Sequence, residues 1–110
     1  MSSRKQRGRA SERIVAEYFK AHGWPYAEPV GAGRSGSDVT GVVGCDIEVK
    51  ARRNLDLTGT LRQLSDRASD GVLGFAVMRP DGFGPARIGE WPVVLPLAVM
   101  LQLLREAGYQ

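Results

Sequence analysis

The chain has 110 residues, 43% hydrophobic and 25% charged, which suits one globular domain over residues 1–110 and excludes a disordered chain. One cysteine excludes an internal disulfide, one histidine excludes mechanisms that need two, and no apolar run reaches the roughly 18 residues of a membrane span. We therefore expect a cytoplasmic protein without a membrane partner. The net charge is +3, and residues 1–67 carry 12 basic against 8 acidic side chains, an excess that predicts a polyanionic partner.

The first third of the chain predicts a basic arm, a helix and an edge strand. Residues 1–9 are polar and basic, which is typical of a mobile arm. Apolar residues at helical spacing predict a helix over 10–21, and a proline-interrupted segment at 24–30 predicts an edge strand. The Gly/Ser loop over 31–37 lacks the Gly-Lys-Ser/Thr ending of a phosphate loop, so we expect no nucleotide cofactor.

The remaining pattern predicts a mixed sheet flanked by helices, an α/β fold. Further helices are predicted from residue 56 to 69 and from 96 to 108. The predicted strands are two in 38–50, a buried one at 72–78 and a short one near 86–88, and residues 91–96 are interpreted as a connection. The last helix is apolar over most of its circumference, which indicates a contact between subunits.

The chemically informative segment is the predicted hairpin of residues 38–50. Folded about Val43, between two glycines, it places Asp38 opposite Glu48 with their side chains about 5 Å apart. Like charges at this spacing are destabilising unless a divalent cation bridges them, and carboxylate oxygens suit Mg²⁺ or Mn²⁺. Asp46 shares the Glu48 face, and we interpret it as a solvated strand start rather than a metal ligand.

Lys50 lies two residues after Glu48 and therefore on the same strand face. An ammonium group there can orient an attacking water or stabilise charge on a transferring phosphoryl group. Glu12 borders the apolar face of the first helix and can lean towards the sheet. Together these residues indicate phosphodiester hydrolysis. The alternative is an exposed hairpin whose Glu and Lys side chains are simply solvated.

The pattern resembles the PD-(D/E)XK nuclease superfamily. The resemblance rests on Gly8 and Glu12, a Gly-rich loop, Ser37-Asp38, and Ile47-Glu48-Val49-Lys50. Within the superfamily the chain is most similar, over about residues 7–80, to the small Holliday junction resolvases of archaea and their bacteriophage relatives. Serine stands at position 37, where the superfamily motif has proline.

The resemblance implies a restriction-endonuclease-like core and a homodimeric, phage-type, Mg²⁺-dependent endonuclease that nicks four-way DNA junctions symmetrically. It assigns the catalytic roles to Glu12, Asp38, Glu48 and Lys50. We expect Mg²⁺, with Mn²⁺ as a substitute, to be held by the carboxylates of Asp38, Glu48 and Glu12 and by the carbonyl of Val49. The helix glutamine of many relatives corresponds to Gln63, which the periodicity places away from the leucine stripe of its helix.

Basic and hydroxyl side chains around this segment are candidates for DNA contacts. They are Arg4, Lys5, Arg7, Arg9, Arg34, Ser35, Ser37, Arg52 and Arg53. Two alternatives stay open. One is another repair or restriction-like nickase on the same scaffold, since the motif does not specify substrate shape. The other is a non-catalytic DNA-binding module, which would have no use for Lys50.

Overall fold

Two parallel strands, β3 (Cys45–Lys50) and β4 (Leu73–Met78), form the centre of a mixed sheet. In the computed structural model, which describes residues 4–31 and 36–110, the sheet has five strands in the order β1-β2-β3-β4-β5. The three outer strands are short and antiparallel to their neighbours: β1 (Glu28–Pro29), β2 (Val39–Thr40) and β5 (Val93–Val94). The predicted α/β class, a mixed sheet with flanking helices, is therefore confirmed.

Helices connect and cover the strands. They are α1 (Arg4–Ala21), α2 (Leu57–Asp66) and α3 (Leu97–Glu106), with a 3₁₀ segment at Pro85–Glu90. Helix α2 is the crossover between the parallel strands β3 and β4, as such pairs require. Its N-cap residue is Asp56, whose side chain accepts a hydrogen bond from the Gly59 amide at 2.9 Å.

The hydrophobic core lies between α1 and one face of the sheet. Alternation along β3 turns Ile47 into this core, where it is fully buried, and sends its neighbours Asp46 and Glu48 to the opposite face. Val15 of α1 and Phe75 of β4 belong to the same buried cluster. The consequence for function is that the charged face of β3 is left for α2 and the solvent.

Several predicted boundaries were wrong. Helix α1 begins at Arg4 rather than at residue 10, so residues 4–9 of the predicted arm are helical. The predicted strand at 24–30 pairs only over Glu28–Pro29. Residues 86–88 are 3₁₀ helix rather than strand, and β5 forms in the segment interpreted as a connection, where its two valines pair with Ala76 and Val77 of β4.

Helix α3 is as apolar as the sequence indicated, and among the described residues it has no buried member. Its exposed side chains include Leu97 at 73%, Leu101 at 50% and Met100 at 40%. No helix in the described part of the chain is both long and apolar enough to span a membrane.

Candidate active site

The β2–β3 hairpin has the register that the sequence predicted. Val39 is paired with Ile47, which puts Asp38 beside Glu48. The Asp38 amide donates to the carbonyl of Ile47 at 2.7 Å, and its carboxylate Oδ2 accepts from the Val49 amide at 2.8 Å. The Asp38 side chain is thus held by the backbone of the strand that carries Glu48 and Lys50.

Ser37 fixes the approach of this carboxylate to β3. Its hydroxyl donates to the carbonyl of Val39 at 2.7 Å and accepts from the Ile47 amide at 2.9 Å. The Ser37 hydroxyl therefore joins β2 to β3 next to Asp38. A contact between Ser37 and DNA stays a prediction.

Glu48 is a buried carboxylate with only 7% of its surface exposed, and both of its oxygens are bound by helix α2. Gln63 Nε2 donates to Oε1 at 3.1 Å, and Arg67 Nη1 donates to Oε2 at 3.0 Å. The other end of the Arg67 guanidinium bonds Asp46. Helix α2 therefore orients the central acid of the site, and Asp46 is a half-buried ion-pair partner rather than the solvated strand start that we predicted.

Arg67 is the residue that the sequence analysis missed, because the face with which α2 packs includes only one of its leucines, Leu64. Leu57 and Leu61 are 55% and 40% exposed, whereas Thr60 and Leu64 are buried. The face of residues 60, 63, 64 and 67 turns towards the sheet because it meets the charged side of β3. Helical spacing from Gln63 leads to Arg67 one turn later, and this spacing was the available signal.

Negative charge accumulates at this point of the fold. Burial raises the pKa of Glu48, and the charge of Asp38 raises it further, while Lys50 and Arg67 act in the opposite direction. Burial also raises the pKa of Glu12, followed by the charges of Asp38 and Glu48. The helix glutamate predicted for the site therefore lies near enough to the hairpin to sense both of its carboxylates.

The site opens into a basic cleft of about 800 Å³. Asp38, Glu48 and Lys50 line it, together with the arginines Arg7, Arg52 and Arg53. Arg52 and Arg53 are exposed, and the one ion pair of Arg53 within the described residues is a loose contact of 4.0 Å with Asp81. The cleft thus joins carboxylates and an ammonium group to side chains suited to phosphate.

The remaining residues predicted to contact DNA are not among the described residues that line the cleft. Arg9 is exposed and lies close enough to Glu12 to lower its pKa, although burial outweighs this effect. Arg34 and Ser35 lie outside the described residues, as do the side chains of Arg4 and Lys5.

The donor set fits Mg²⁺ better than a metal that needs many protein ligands. In residues 4–31 and 36–110, no group of three or more Asp, Glu, His or Cys side chains is arranged to hold a metal ion. Asp38 and Glu48 nevertheless lie together, and a bound cation would relieve the repulsion between them that Lys50 and Arg67 do not offset. Mg²⁺ is commonly bound by one or two carboxylates, with waters and substrate phosphates completing its shell. Ligation by Glu12 stays a prediction.

Comparison with protein-family models, with curated proteins and with solved structures found no match. Conclusions about function therefore depend on the residues of the site.

Replacing Glu12 by glutamine is expected to stabilise the metal-free protein at neutral pH. The pKa of Glu12 is raised above 4.5 in the folded protein, so the folded protein holds the Glu12 proton more tightly than the unfolded chain does. The stability associated with this proton is fully present below pH 4.5 and is lost as the pH rises through the folded-state pKa. Glu12→Gln removes this loss, so its melting temperature should exceed that of the wild type by a few degrees at pH 7 and approach it near pH 4.5. Thermal unfolding in EDTA across this range measures the difference.

Glu17→Gln is the matched control, since Glu17 lies on the same helix with a 62% exposed side chain. The control loses only an exposed 3.6 Å ion pair with Lys20, which is worth little, so it should stay close to the wild type at every pH. A Glu12→Gln variant less stable than the wild type at pH 7 would show that burial and the hairpin charges do not destabilise the ionised Glu12 carboxylate.

Proposed function

We propose that this chain is a Mg²⁺-dependent endonuclease that hydrolyses DNA phosphodiester bonds, with the four-way junction as its substrate. The observation that carries the proposal is the hairpin register, which sets Asp38 beside Glu48 and Lys50 in a cleft lined by arginines. Carboxylates whose pKa is raised by burial and by a neighbouring charge, and which line a cleft, are typical of functional sites. A restriction-endonuclease-like core is part of this proposal.

Each residue of the site has a role that follows from its surroundings. Asp38, Glu48 and the carbonyl of Val49 would hold Mg²⁺, and Glu12 would add negative charge nearby. A bound Mg²⁺ would polarise the phosphoryl oxygen and lower the pKa of a coordinated water. The Lys50 ammonium would orient the attacking water or stabilise the charge that develops on the phosphoryl oxygens.

The basic side chains of the cleft support DNA as the substrate. The arginines of the cleft, Arg7, Arg52 and Arg53, suit the phosphate backbone, whose contacts position a nucleic acid without reading its sequence. The junction in particular is supported by the resemblance to the small resolvases. The exposed apolar face of α3 would pair two copies of the chain, and a two-fold axis would then direct two sites at opposing strands.

A cleavage assay tests the proposal. Four-way junctions, flaps and linear duplexes of the same sequences, each labelled on every strand, are incubated with the protein at fixed salt in Mg²⁺, in Mn²⁺ and in EDTA. We expect paired nicks in junctions, with either metal and not in EDTA. Asp38→Asn should not cut, although the asparagine oxygen can still accept the Val49 hydrogen bond.

The other outcomes point to the rival functions. Preferential cutting of flaps or linear duplexes would indicate a different nuclease on the same scaffold. A wild-type protein that binds DNA but cuts none of these substrates would overturn the proposal in favour of a DNA-binding module.

A further inference from the structure

The cleft of the candidate site does not end at the carboxylates. A second cavity of about 640 Å³ adjoins it, and the two share Arg7, Ala51, Arg52 and Asp81 in their linings. Because the same four residues border both cavities, the two cavities are adjacent, and we refer to them together as the groove. The groove runs from Asp38 and Glu48 to the loop of residues 79–84, which connects β4 to the 3₁₀ segment.

The 79–84 loop is a firmly held wall. Arg79 Nε donates to the carbonyl of Phe83 at 2.7 Å, and Arg79 Nη1 donates to the hydroxyl of Ser11, which is fully buried in α1. The same guanidinium lies 5.0 Å from the ring centroid of Trp91. These contacts clamp the loop to α1 and to the core, so the groove beside it is preformed.

The surface of the 79–84 loop leaves room for another molecule to come close. A Cβ atom placed on Gly82 or Gly84 would meet no atom within 4 Å, so the backbone of another molecule can come near the loop. Arg7 and Arg52 line this part of the groove, whereas the carboxylates of the candidate site lie in the adjoining part. Asp81 is the only acidic residue among the described residues that line the second cavity.

We propose that a DNA strand entering the candidate site continues along this second cavity, with its phosphates beside Arg7 and Arg52 and its backbone against the 79–84 loop. The inference rests on the proposed function, because it extends the path of the same substrate. Phosphates next to the scissile one are repelled by Asp38 and Glu48 unless a cation is present. Arg7 and Arg52, which line both cavities, attract such phosphates towards the second cavity.

The test introduces one charge into the second cavity. Gly84 has a φ of −84°, which any residue adopts, so Gly84→Glu and its neutral isostere Gly84→Gln should both fold. The affinity for a four-way junction is measured by fluorescence anisotropy in EDTA. We expect Gly84→Glu to bind about threefold to tenfold more weakly than Gly84→Gln, with the difference shrinking as salt is raised.

The reverse change provides a second, independent variant. Asp81→Asn removes an acidic group that borders both cavities and should bind the junction about twofold to fivefold more tightly than the wild type, whereas Gly84 lines only the second cavity. The ion pair that it loses is exposed and loose, so the fold should be unaffected. Asp70→Asn is the control, since Asp70 precedes β4 whereas Asp81 follows it, and it should bind as the wild type does.

The two proposals fail in distinguishable ways. If the wild type cuts junctions but the two Gly84 variants bind alike, the strand does not pass the loop and this inference is overturned, even if Asp81→Asn binds more tightly through the first cavity. If the wild type cuts none of the substrates, the proposed function fails, whatever the binding data show.

Discussion

Replacing Lys50 by alanine is expected to reduce junction cleavage by about a hundredfold to a thousandfold while changing the affinity for the junction by less than about threefold. Lys50 of β3 is paired with Met78 of the parallel strand β4, and Lys50 lines the cleft together with Glu48. Binding should persist because Arg7, Arg52 and Arg53 remain in the same cleft. We therefore expect the main effect on the step in which charge develops on the phosphoryl group.

The measurement is single-turnover cleavage over a range of Mg²⁺ concentrations, with affinity determined separately in EDTA. The charge of Lys50 also lowers the pKa of Glu48, so its removal weakens the carboxylate as a metal ligand. A rate that recovers fully at high Mg²⁺ would mean that Lys50 acts only through metal affinity. A rate that stays low at saturating Mg²⁺ is the expected result and assigns Lys50 to the chemical step.

Lys20→Ala is the matched control for this substitution. Lys20 also carries a basic side chain, but it is paired with Glu28 at 2.7 Å at the far end of α1. Its removal should leave both cleavage and affinity at the wild-type values. If Lys50→Ala likewise cuts as fast as the wild type, the catalytic role of Lys50 is wrong and the resemblance to the nuclease motif has no chemical meaning here.

The hairpin was predictable because its information is local. Two glycines fix the turn, strand alternation fixes which side chains share a face, and the pairing of Val39 with Ile47 follows from both. The placement of Asp38 beside Glu48 is therefore determined by about a dozen consecutive residues. Glu12 lies far from them in the chain, yet the border of an amphipathic helix still indicated that it turns towards the sheet.

Other features depended on contacts that no local pattern encodes. Arg67 reaches Asp46 and Glu48 across about twenty residues. Two of the three leucines of α2 are exposed, since the strand surface that α2 covers is charged. Strand β5 is two residues long and forms because Val93 and Val94 meet the edge of β4. Such short segments carry too little periodicity to be distinguished from a connection.

Gly41→Ala is expected to destabilise the fold by about 3 kcal/mol or more, the largest effect on stability that we predict. Gly41 has a φ of +82°, and a Cβ atom there would lie 1.8 Å from the carbonyl oxygen of Tyr26 and 2.4 Å from its carbonyl carbon. These are backbone atoms of the segment that leads into β1, so the clash cannot be relieved by a side-chain rotation. Either the turn or β1 must move.

Urea unfolding compares this variant with Gly44→Ala, in the same turn. Gly44 has the same φ of +82°, but its Cβ atom would meet nothing within 4 Å, so only the backbone strain of about 1 kcal/mol applies. The difference between the two variants therefore isolates the close approach of the hairpin to β1. Equal stabilities would show that this approach is not tight in solution.

The same substitution links the turn to the site. Gly41 allows β2 to lie between β1 and β3, and this position sets Asp38 against the Val49 amide. At temperatures where Gly41→Ala is still folded, its cleavage rate should fall further than that of Gly44→Ala, because displacement of β2 separates Asp38 from Glu48. A Gly41→Ala protein that is less stable yet cuts at the wild-type rate would show that the hairpin register is not what brings the two carboxylates together.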